Sequence, residues 1–181
     1  MAGATKLLTS GGGGVILTPA SNIASDVTVQ IPSQSCTLGI QGPAFSAYLS
    51  ATQTVTINIA TKVAIDTIVF DTSSAFDATN YRYNPKVAGY YQVNVLLRGT
   101  AASTFTQIVP YIYKNGSEYT RAVWNATFTA TTASTPSLSE VIYLNGTTDY
   151  LEFFGGVNGT GTATFNYSNS AATSKFSAAL V

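Results

Sequence analysis

Short stretches of the chain alternate hydrophobic and polar residues with the period of two that places successive side chains on opposite faces of a β-strand. Residues 54–59 read Thr-Val-Thr-Ile-Asn-Ile, and residues 65–70 form a second run rich in β-branched side chains. Residues 90–97 contain a third strand, with Tyr, Val, Val and Leu on one face and a mixed set on the other. No segment has the apolar spacing of an amphipathic helix. The pattern predicts an all-β protein.

Two Asn-Gly pairs stand where β-hairpin turns are expected. Asn115-Gly116 follows the apolar run 108–114, and Asn145-Gly146 follows the run 138–144. Asn-Gly accepts the positive φ angles of a type I′ turn at low steric cost, so both pairs predict hairpins. Residues 176–181 form a closing apolar run, predicted to be buried in a sheet. Eight to ten strands at this spacing indicate a sandwich or a barrel.

The first forty residues have a different pattern. Gly11–Gly14 predict a flexible break, and two short extended pieces follow at Val15–Thr18 and Val27–Pro32. A piece this small cannot bury a core of its own, so it must lean on the main domain, on symmetry mates or on another protein. We expect the boundary near Gln41–Pro43, which gives an extended segment, 1–41, and a domain, 42–181.

Five segments of the main domain, in their order along the chain, resemble strands of the complement component 1q globular head family, which is related to tumour-necrosis-factor-like jelly rolls. They are Pro43–Ala47, Thr67–Asp71, Ala88–Val93, Ile112–Gly116 and Lys175–Val181. The resemblance covers about residues 43–181 and implies a ten-stranded jelly-roll β-sandwich assembled as a homotrimer. The chain has no Gly-X-Y stalk, and the calcium ligands that some members place on the trimer axis are not matched.

The N-terminal segment resembles other proteins. Val15–Ser21 and Val27–Pro32, after a Gly-rich entry, resemble the linker pattern of tailed-phage fibre and virion proteins. Residues 1–17 lack the apolar stretch of a secretory signal. These features favour a phage virion protein, made in the host cytoplasm without a signal peptide.

The composition points towards self-association. Charged residues make up 9% of the chain and its formal net charge is zero, so Ser, Thr, Asn and Gly must cover the surface. Low net charge permits association, and we expect much of the exterior to be buried between copies. Nucleic acid is set aside because Lys and Arg are scattered rather than clustered. Membrane insertion is set aside because there is no apolar run of 18 residues.

Catalytic chemistry is poorly represented in the sequence. There is no histidine to act as a general base, no Gly-x-Ser-x-Gly elbow, and a single cysteine, Cys36. A chain with no histidine and one cysteine offers no transition-metal site and no internal disulfide. Acidic pairs such as Asp149/Glu152 are expected by chance on β-loops. We therefore predict no enzyme activity and no cofactor.

Two aromatic and basic clusters are candidates for contact with a partner or receptor. The first contains Tyr119, Arg121, Trp124 and Phe128 and leads into a Thr/Ala/Ser-rich stretch that ends at Pro136. Tyr, Trp and Arg are enriched at binding hot spots. The alternative interpretation places Trp124 and Phe128 in the core or at the trimer axis.

The second cluster is Tyr81-Arg82-Tyr83, for which the alternative is a solvated turn.

The sequence as a whole predicts a trimeric phage tail-fibre or receptor-binding head that recognises a host surface glycan or protein. A capsid decoration trimer, either a head fibre or a cement protein, is the alternative. A secreted complement-1q-like ligand is a more distant one. If the chain is a phage virion protein, we expect residues 1–41 to bind other virion proteins.

Overall fold

The structure is a computed structural model that describes residues 5–8, 14–17, 42–101, 104–128, 133–166 and 174–181. The chain divides into two compact units, Met1–Ile40 and Gln41–Val181. Every regular element within the described residues is a β-strand. The all-β prediction is therefore confirmed.

The N-terminal unit contains an antiparallel pair, β1 (Thr5–Leu8) and β2 (Gly14–Leu17). Gly14, which the sequence predicted to belong to a flexible break, is the first residue of β2. The predicted extended piece Val27–Pro32 lies outside the described residues.

The second unit is a sandwich of antiparallel strands. They are β3 (Ala44–Tyr48), β4 (Gln53–Val55), β5 (Thr61–Lys62), β6 (Thr67–Asp71), β7 (Phe76–Asp77), β8 (Arg82–Tyr83), β9 (Gly89–Leu96), β10 (Gly99–Ala101), β11 (Phe105–Lys114), β12 (Ser117–Arg121), β13 (Trp124–Phe128), β14 (Ser137–Leu144), β15 (Leu151–Gly159), β16 (Ala163–Phe165) and β17 (Lys175–Leu180).

Two large sheets carry the architecture of this unit. The five-stranded sheet has the order β14-β9-β17-β3-β6. The seven-stranded sheet has the order β12-β11-β15-β8-β7, with β13 also paired to β11 and β5 to β15. A smaller sheet has the order β10-β16-β4. The closing strand β17 pairs with both β9 and β3, as predicted for a buried terminal strand.

The core follows from the period-two alternation of the strands. In β9 and the residue after it, Tyr91, Val93, Val95 and Leu97 are all buried, which confirms the face predicted from the sequence. Large aromatic side chains from both sheets join them in one cluster. The buried apolar surface of this cluster is the main favourable contribution to the stability of the sandwich.

The first Asn-Gly pair forms the predicted hairpin between β11 and β12. Asn115 has a φ of 54° and Gly116 a φ of 78°, as a type I′ turn requires. The Asn115 side chain also forms hydrogen bonds with residues outside the hairpin. Its Nδ2 donates to Asp149 Oδ1 at 2.8 Å, and its Oδ1 accepts from the Tyr150 N–H at 2.9 Å.

The hairpin prediction for Asn145-Gly146 is wrong. Strand β14 belongs to the five-stranded sheet and β15 to the seven-stranded sheet, so this turn carries the chain from one sheet to the other. Gly146 has a φ of 72°, but Asn145 is not among the residues with positive φ. Instead, Asn145 Oδ1 accepts hydrogen bonds from the N–H groups of Thr147, Thr148 and Asp149 at 3.0 Å each.

Two of the predicted strands are shorter or more exposed than their patterns indicated. The alternating run 54–59 contributes only its first residues to β4, and Ile59 is 55% exposed. Strand β6 begins at Thr67, and Ile68, Val69 and Phe70 are all exposed. The register between β3 and β6 shifts at Ser46/Ala47, and β6 lies at the edge of its sheet.

Asp149 ties the corner after β14 to the hairpin after β11. Its Oδ2 accepts from the Asn145 N–H and from Lys114 Nζ, both at 3.0 Å, and its Oδ1 accepts the bond from Asn115. The hydrogen bond from Asn115, aided by those from Lys114 and Asn145, holds the pKa of this carboxyl below its ordinary value of 3.8, against the opposing effect of burial.

We expect Gly146→Ala to lower the free energy of unfolding by about 2–5 kcal/mol. A Cβ at this position would lie 2.4 Å from the Ala88 nitrogen, in a left-handed residue. The matched control is Gly116→Ala, where φ is also positive but the added Cβ meets only Tyr150 Oη at 3.3 Å. That change should remove about 1–2 kcal/mol. Urea unfolding measures both, and equal losses would contradict the proposed contact.

We expect Asp149→Asn to lower the free energy of unfolding at pH 7 by about 1–3 kcal/mol, because Lys114 and Asn145 lose a charged acceptor. A carboxyl whose pKa is depressed by folding stabilises above its unfolded pKa, and this contribution disappears as the pH falls through the native pKa. The difference between wild type and variant should therefore be constant from pH 7 to pH 5 and shrink below about pH 4. Urea unfolding across this pH range tests it, with the exposed Glu118→Gln as control.

Candidate functional site

The two large sheets present outer faces of different chemistry. On the five-stranded sheet, side chains that alternate with the buried ones point away from the core. They form what we call the uncharged face: Ala44, Ser46, Tyr90, Gln92, Asn94, Ser139, Val141, Tyr143, Ser177 and Ala179. Lys175, at the first position of β17, lies at its margin.

The uncharged face combines exposed rings with polar groups that bond to one another. Tyr90 and Tyr143 are 60% and 48% exposed, face each other across β9 and β14, and have ring centroids 5.4 Å apart. Gln92 Nε2 donates to Ser139 Oγ at 2.8 Å, and Ser139 Oγ donates to Asn94 Oδ1 at 2.7 Å. Covering this face would remove no charge from water and would leave these side-chain bonds in place.

The seven-stranded sheet, by contrast, carries all the ion pairs found among the described residues. They are Lys62–Glu152 at 2.5 Å, Arg82–Asp77 at 3.7 Å, Lys114–Asp149 at 3.0 Å and Arg121–Glu118 at 3.6 Å. Asp149 stands just before β15, and the other seven residues lie in strands of this sheet. Lys114 stands opposite the buried Leu151, and its Nζ donates to the Tyr143 carbonyl of β14, so the Lys114–Asp149 pair lies at the end of the sandwich. The other three pairs lie on the outer surface of the sheet, which we call the charged face.

Aromatic rings lie between these charges. The Tyr113 and Phe154 rings are stacked with centroids 4.0 Å apart, and Lys62 Nζ lies 5.8 Å from the Phe154 centroid. Arg121 Cζ lies 6.0 Å from the centroid of the Tyr111 ring, and Arg82 Cζ lies 5.2 Å from the centroid of the Tyr150 ring. The charged face thus presents cations supported by rings, an arrangement suited to polar partners.

The predicted cluster of residues 119–128 is not a single patch. Arg121 stands opposite Tyr111 across β11 and β12, and Trp124 stands opposite Ile108 across β11 and β13. Residues 108 and 111 are an odd number of positions apart in β11, so the two side chains point to opposite sides of the sheet. Tyr119 is 51% exposed and lies with Arg121 in β12.

Trp124 is 52% exposed, so the interpretation that it fills the core of the chain is wrong. Strand β13 contains Phe128, whose side chain lies outside the described residues. The interpretation that these two residues lie at a trimer interface stays a prediction.

The prediction that Tyr83 contacts a partner is wrong. Its side chain is 0% exposed, and its ring stacks on Phe45 with centroids 4.2 Å apart. Burial raises the pKa of the Tyr83 hydroxyl above its ordinary value. Successive side chains in β8 point to opposite sides, so Arg82 reaches the charged face while Tyr83 enters the core. Tyr81 has a left-handed φ of 54° in the turn before β8.

A first groove on the charged face runs beside β11 and has a volume of about 200 Å³. Its lining residues are Gln107, Val109, Tyr111, Arg121, Val123 and Asn158. Gln107 Nε2 donates to Asn125 Oδ1 at 2.7 Å, and Gln107 Oε1 accepts from Asn158 Nδ2 at 2.6 Å. Sequence reasoning missed these amides because β13, β11 and β15 meet only in the folded sheet.

A second and larger groove, of about 460 Å³, lies at the other end of the same sheet. Its lining residues are Ser74, Ala75, Phe76, Asp77, Arg82, Asn84, Lys86, Thr148 and Tyr150. Of the predicted residues, only Arg82 lines it. Lys86 and Tyr150 have no local sequence signal, since they stand in loops 64 positions apart that the fold brings together.

The part of the chain that the structure describes contains no group of three or more His, Cys, Asp or Glu side chains arranged to hold a metal ion. Nor does that part contain a helix long and apolar enough to cross a membrane.

No known protein family and no curated protein matches the sequence. Solved structures do match the fold, each over 78% of this chain. The globular domain of zebrafish complement 1qA matches with a TM-score of 0.53 and 14% identity, over 98% of its own length. Murine APRIL matches with a TM-score of 0.58 and 11% identity, over 100% of its own length. Eiger TNF from S. frugiperda matches with a TM-score of 0.56 and 11% identity, over 92% of its own length. This chain therefore has the jelly-roll fold shared by complement 1q and tumour-necrosis-factor domains.

Proposed function

We propose that the chain is a non-enzymatic attachment domain that self-associates through the uncharged face and meets its partner through the charged face. The observation that carries this proposal is the unequal distribution of charge between the two outer surfaces. Three of the four ion pairs of the described residues lie on the outer side of the seven-stranded sheet, and the outer side of the five-stranded sheet is uncharged except at its margin.

Self-association is supported by the chemistry of the uncharged face. The buried centres of protein interfaces are depleted in charged residues and enriched in aromatic ones, and Tyr90 and Tyr143 provide two large exposed rings. We propose a homotrimer, as the fold resemblance implies. The interface of a threefold ring joins two different patches, so a neighbour must contribute another surface. Trp124, exposed on the side away from Arg121, is a large aromatic group available for that role.

Contact with a partner is assigned to the charged face because burying it between copies would be unfavourable. Desolvating partly exposed ion pairs costs several kcal/mol per ion unless their geometry is excellent, and two of the three pairs on this face are separated by more than 3.5 Å. This face would therefore remain in solvent in the trimer. Rings and cations placed there can bind a host surface glycan or protein.

The biological setting that we propose is a phage virion. It is supported by the resemblance of residues 15–32 to linkers of phage fibre proteins, together with the low charge of the chain. In this proposal residues 1–41 bind other virion proteins, and the jelly roll is a tail-fibre or receptor-binding head. A capsid decoration trimer uses the same surfaces with the charged face left as the particle exterior. A secreted complement-1q-like ligand is the more distant alternative.

We expect Asn94→Asp to dissociate the oligomer. Wild type should have the mass of three 18.9 kDa chains, about 57 kDa. The new carboxylate keeps the acceptor for Ser139 but places an unpaired charge in the middle of the uncharged face. A buried, unpaired charge costs several kcal/mol, so the dissociation constant should rise at least about 100-fold. Light scattering after size-exclusion chromatography measures the mass against concentration.

The matched control is Asn125→Asp. Asn125 is also exposed, and its Oδ1 also accepts a single side-chain hydrogen bond, but from Gln107 on the charged face. This variant should keep the wild-type mass. Monomeric wild type would refute the proposed self-association, and dissociation by both variants would refute its assignment to the uncharged face.

We expect an antibody against residues 42–181 to label purified virions in electron micrographs. Label at the tail tip would support the receptor-binding head, and the isolated trimer should then compete with particles for adsorption to cells. Label spread over the capsid would favour the decoration protein, and deletion of residues 1–41 should then release it. Absence of the chain from purified particles would contradict both virion roles.

A further inference from the structure

We propose that the larger groove of the charged face binds a saccharide that carries a carboxylate, such as a uronic acid residue. The saccharide would belong to the surface that the chain attaches to, so the biological meaning of the site rests on the proposed attachment function. The binding itself does not depend on it.

The shape of the groove fits one sugar unit with its substituents. Residues of β7 and β8 line the groove together with Lys86 and the corner residues Thr148 and Tyr150. The corner is held close to the loop before β9, since Gly146 leaves no room for a side chain against the backbone of Val87 and Ala88. The volume of about 460 Å³ lies within the range of small-molecule sites and far exceeds what a lone carboxylate needs.

The charges that line the groove leave a net cation for a ligand. Arg82 and Lys86 provide two positive charges, and Asp77 is the one acid among the lining residues. The Asp77 carboxylate already accepts the N–H groups of Thr79 and Asn80 at 2.9 Å and Asn80 Nδ2 at 2.7 Å. These bonds, led by the side-chain bond from Asn80, keep the pKa of Asp77 below its ordinary value. The lone pairs of its two oxygens are thus used mainly for hydrogen bonds within the turn before β8.

Arg82 is held in position but still has unused hydrogen-bond donors. Its Nε lies 3.7 Å from Asp77 Oδ2, and its Cζ lies over the Tyr150 ring, 5.2 Å from the ring centroid. Within the described ranges its two terminal nitrogens donate no hydrogen bond to the protein. A guanidinium held from one side with its terminal N–H groups unused is suited to bidentate binding of a carboxylate.

The remaining lining residues suit hydroxyl groups. Lys86 Nζ donates to the Ser74 carbonyl at 3.2 Å and, in the part of the chain described, makes no other hydrogen bond. Two of its three N–H donors are therefore available. Ser74 and Thr148 add hydroxyl groups around the same space, and Asn84 adds its amide oxygen, since its Nδ2 already donates to the Asp149 carbonyl at 2.9 Å. A ligand with one carboxylate and several hydroxyls matches this set better than a simple anion does.

The test is calorimetric titration of the intact oligomer with D-glucuronate at low ionic strength. We expect a dissociation constant on the order of 1 mM, as for other small polar ligands in shallow sites. D-glucose, which has the ring without the charge, and acetate, which has the charge without the ring, should each bind at least about tenfold more weakly. Comparable binding of glucose would overturn the role of charge, and comparable binding of acetate would overturn the saccharide assignment.

Arg82→Gln should weaken glucuronate binding at least about tenfold, because it removes the charge-assisted pair. Arg121→Gln makes the same change elsewhere on the charged face and should leave binding unaltered. Lys86→Gln alters an exposed side chain outside any strand and should also weaken binding, which keeps the test available if Arg82→Gln folds poorly. Wild-type affinity in both groove variants, or no heat with the wild type, would overturn the proposal. Neither result would affect the oligomer or virion-labelling experiments.

Discussion

The aromatic cluster between the sheets is the packing interaction on which the remaining structure depends. Phe45 of β3 stacks on Phe76 and Tyr83 from the opposite sheet, and it meets Phe176 of β17 edge to face. Because these rings must be buried, each of their strands must turn the side that carries the ring towards the core. This requirement fixes which residues of each strand face outward, and therefore what each outer face presents.

Once the inner positions are fixed, the outer positions are free to differ between the sheets. The strands of the five-stranded sheet place Ser, Asn, Gln, Ala and Tyr outward, whereas those of the seven-stranded sheet place Lys, Arg and Glu between aromatic rings. Of the 16 charged residues of the chain, six form ion pairs on the outer surface of the seven-stranded sheet. That asymmetry is the basis of the assembly proposed above, in which one side is covered and the other is available to a partner.

Features that depend on neighbouring residues were predictable from the sequence. The buried face of β9, the hairpin at Asn115-Gly116 and the paired strand β17 each follow from local alternation or turn chemistry. The Asn145-Gly146 turn was misassigned because a turn signal does not specify which sheet receives the next strand. Tyr83 was misassigned for a similar reason, since its burial depends on contacts with Phe45 across the sandwich. Both grooves combine strands and loops that are distant along the chain.

The position of β17 in the middle of the five-stranded sheet also determines when that sheet can form during synthesis. Strands β3 and β9 flank residues 175–180 but are translated well before them, so neither can complete its pairing until the closing strand emerges from the ribosome. Ser177 and Ala179 belong to the uncharged face, so this face is complete only at that stage. Any association through it must therefore follow the synthesis of residues 175–180, and the nascent chain must keep unpaired strand edges soluble until then.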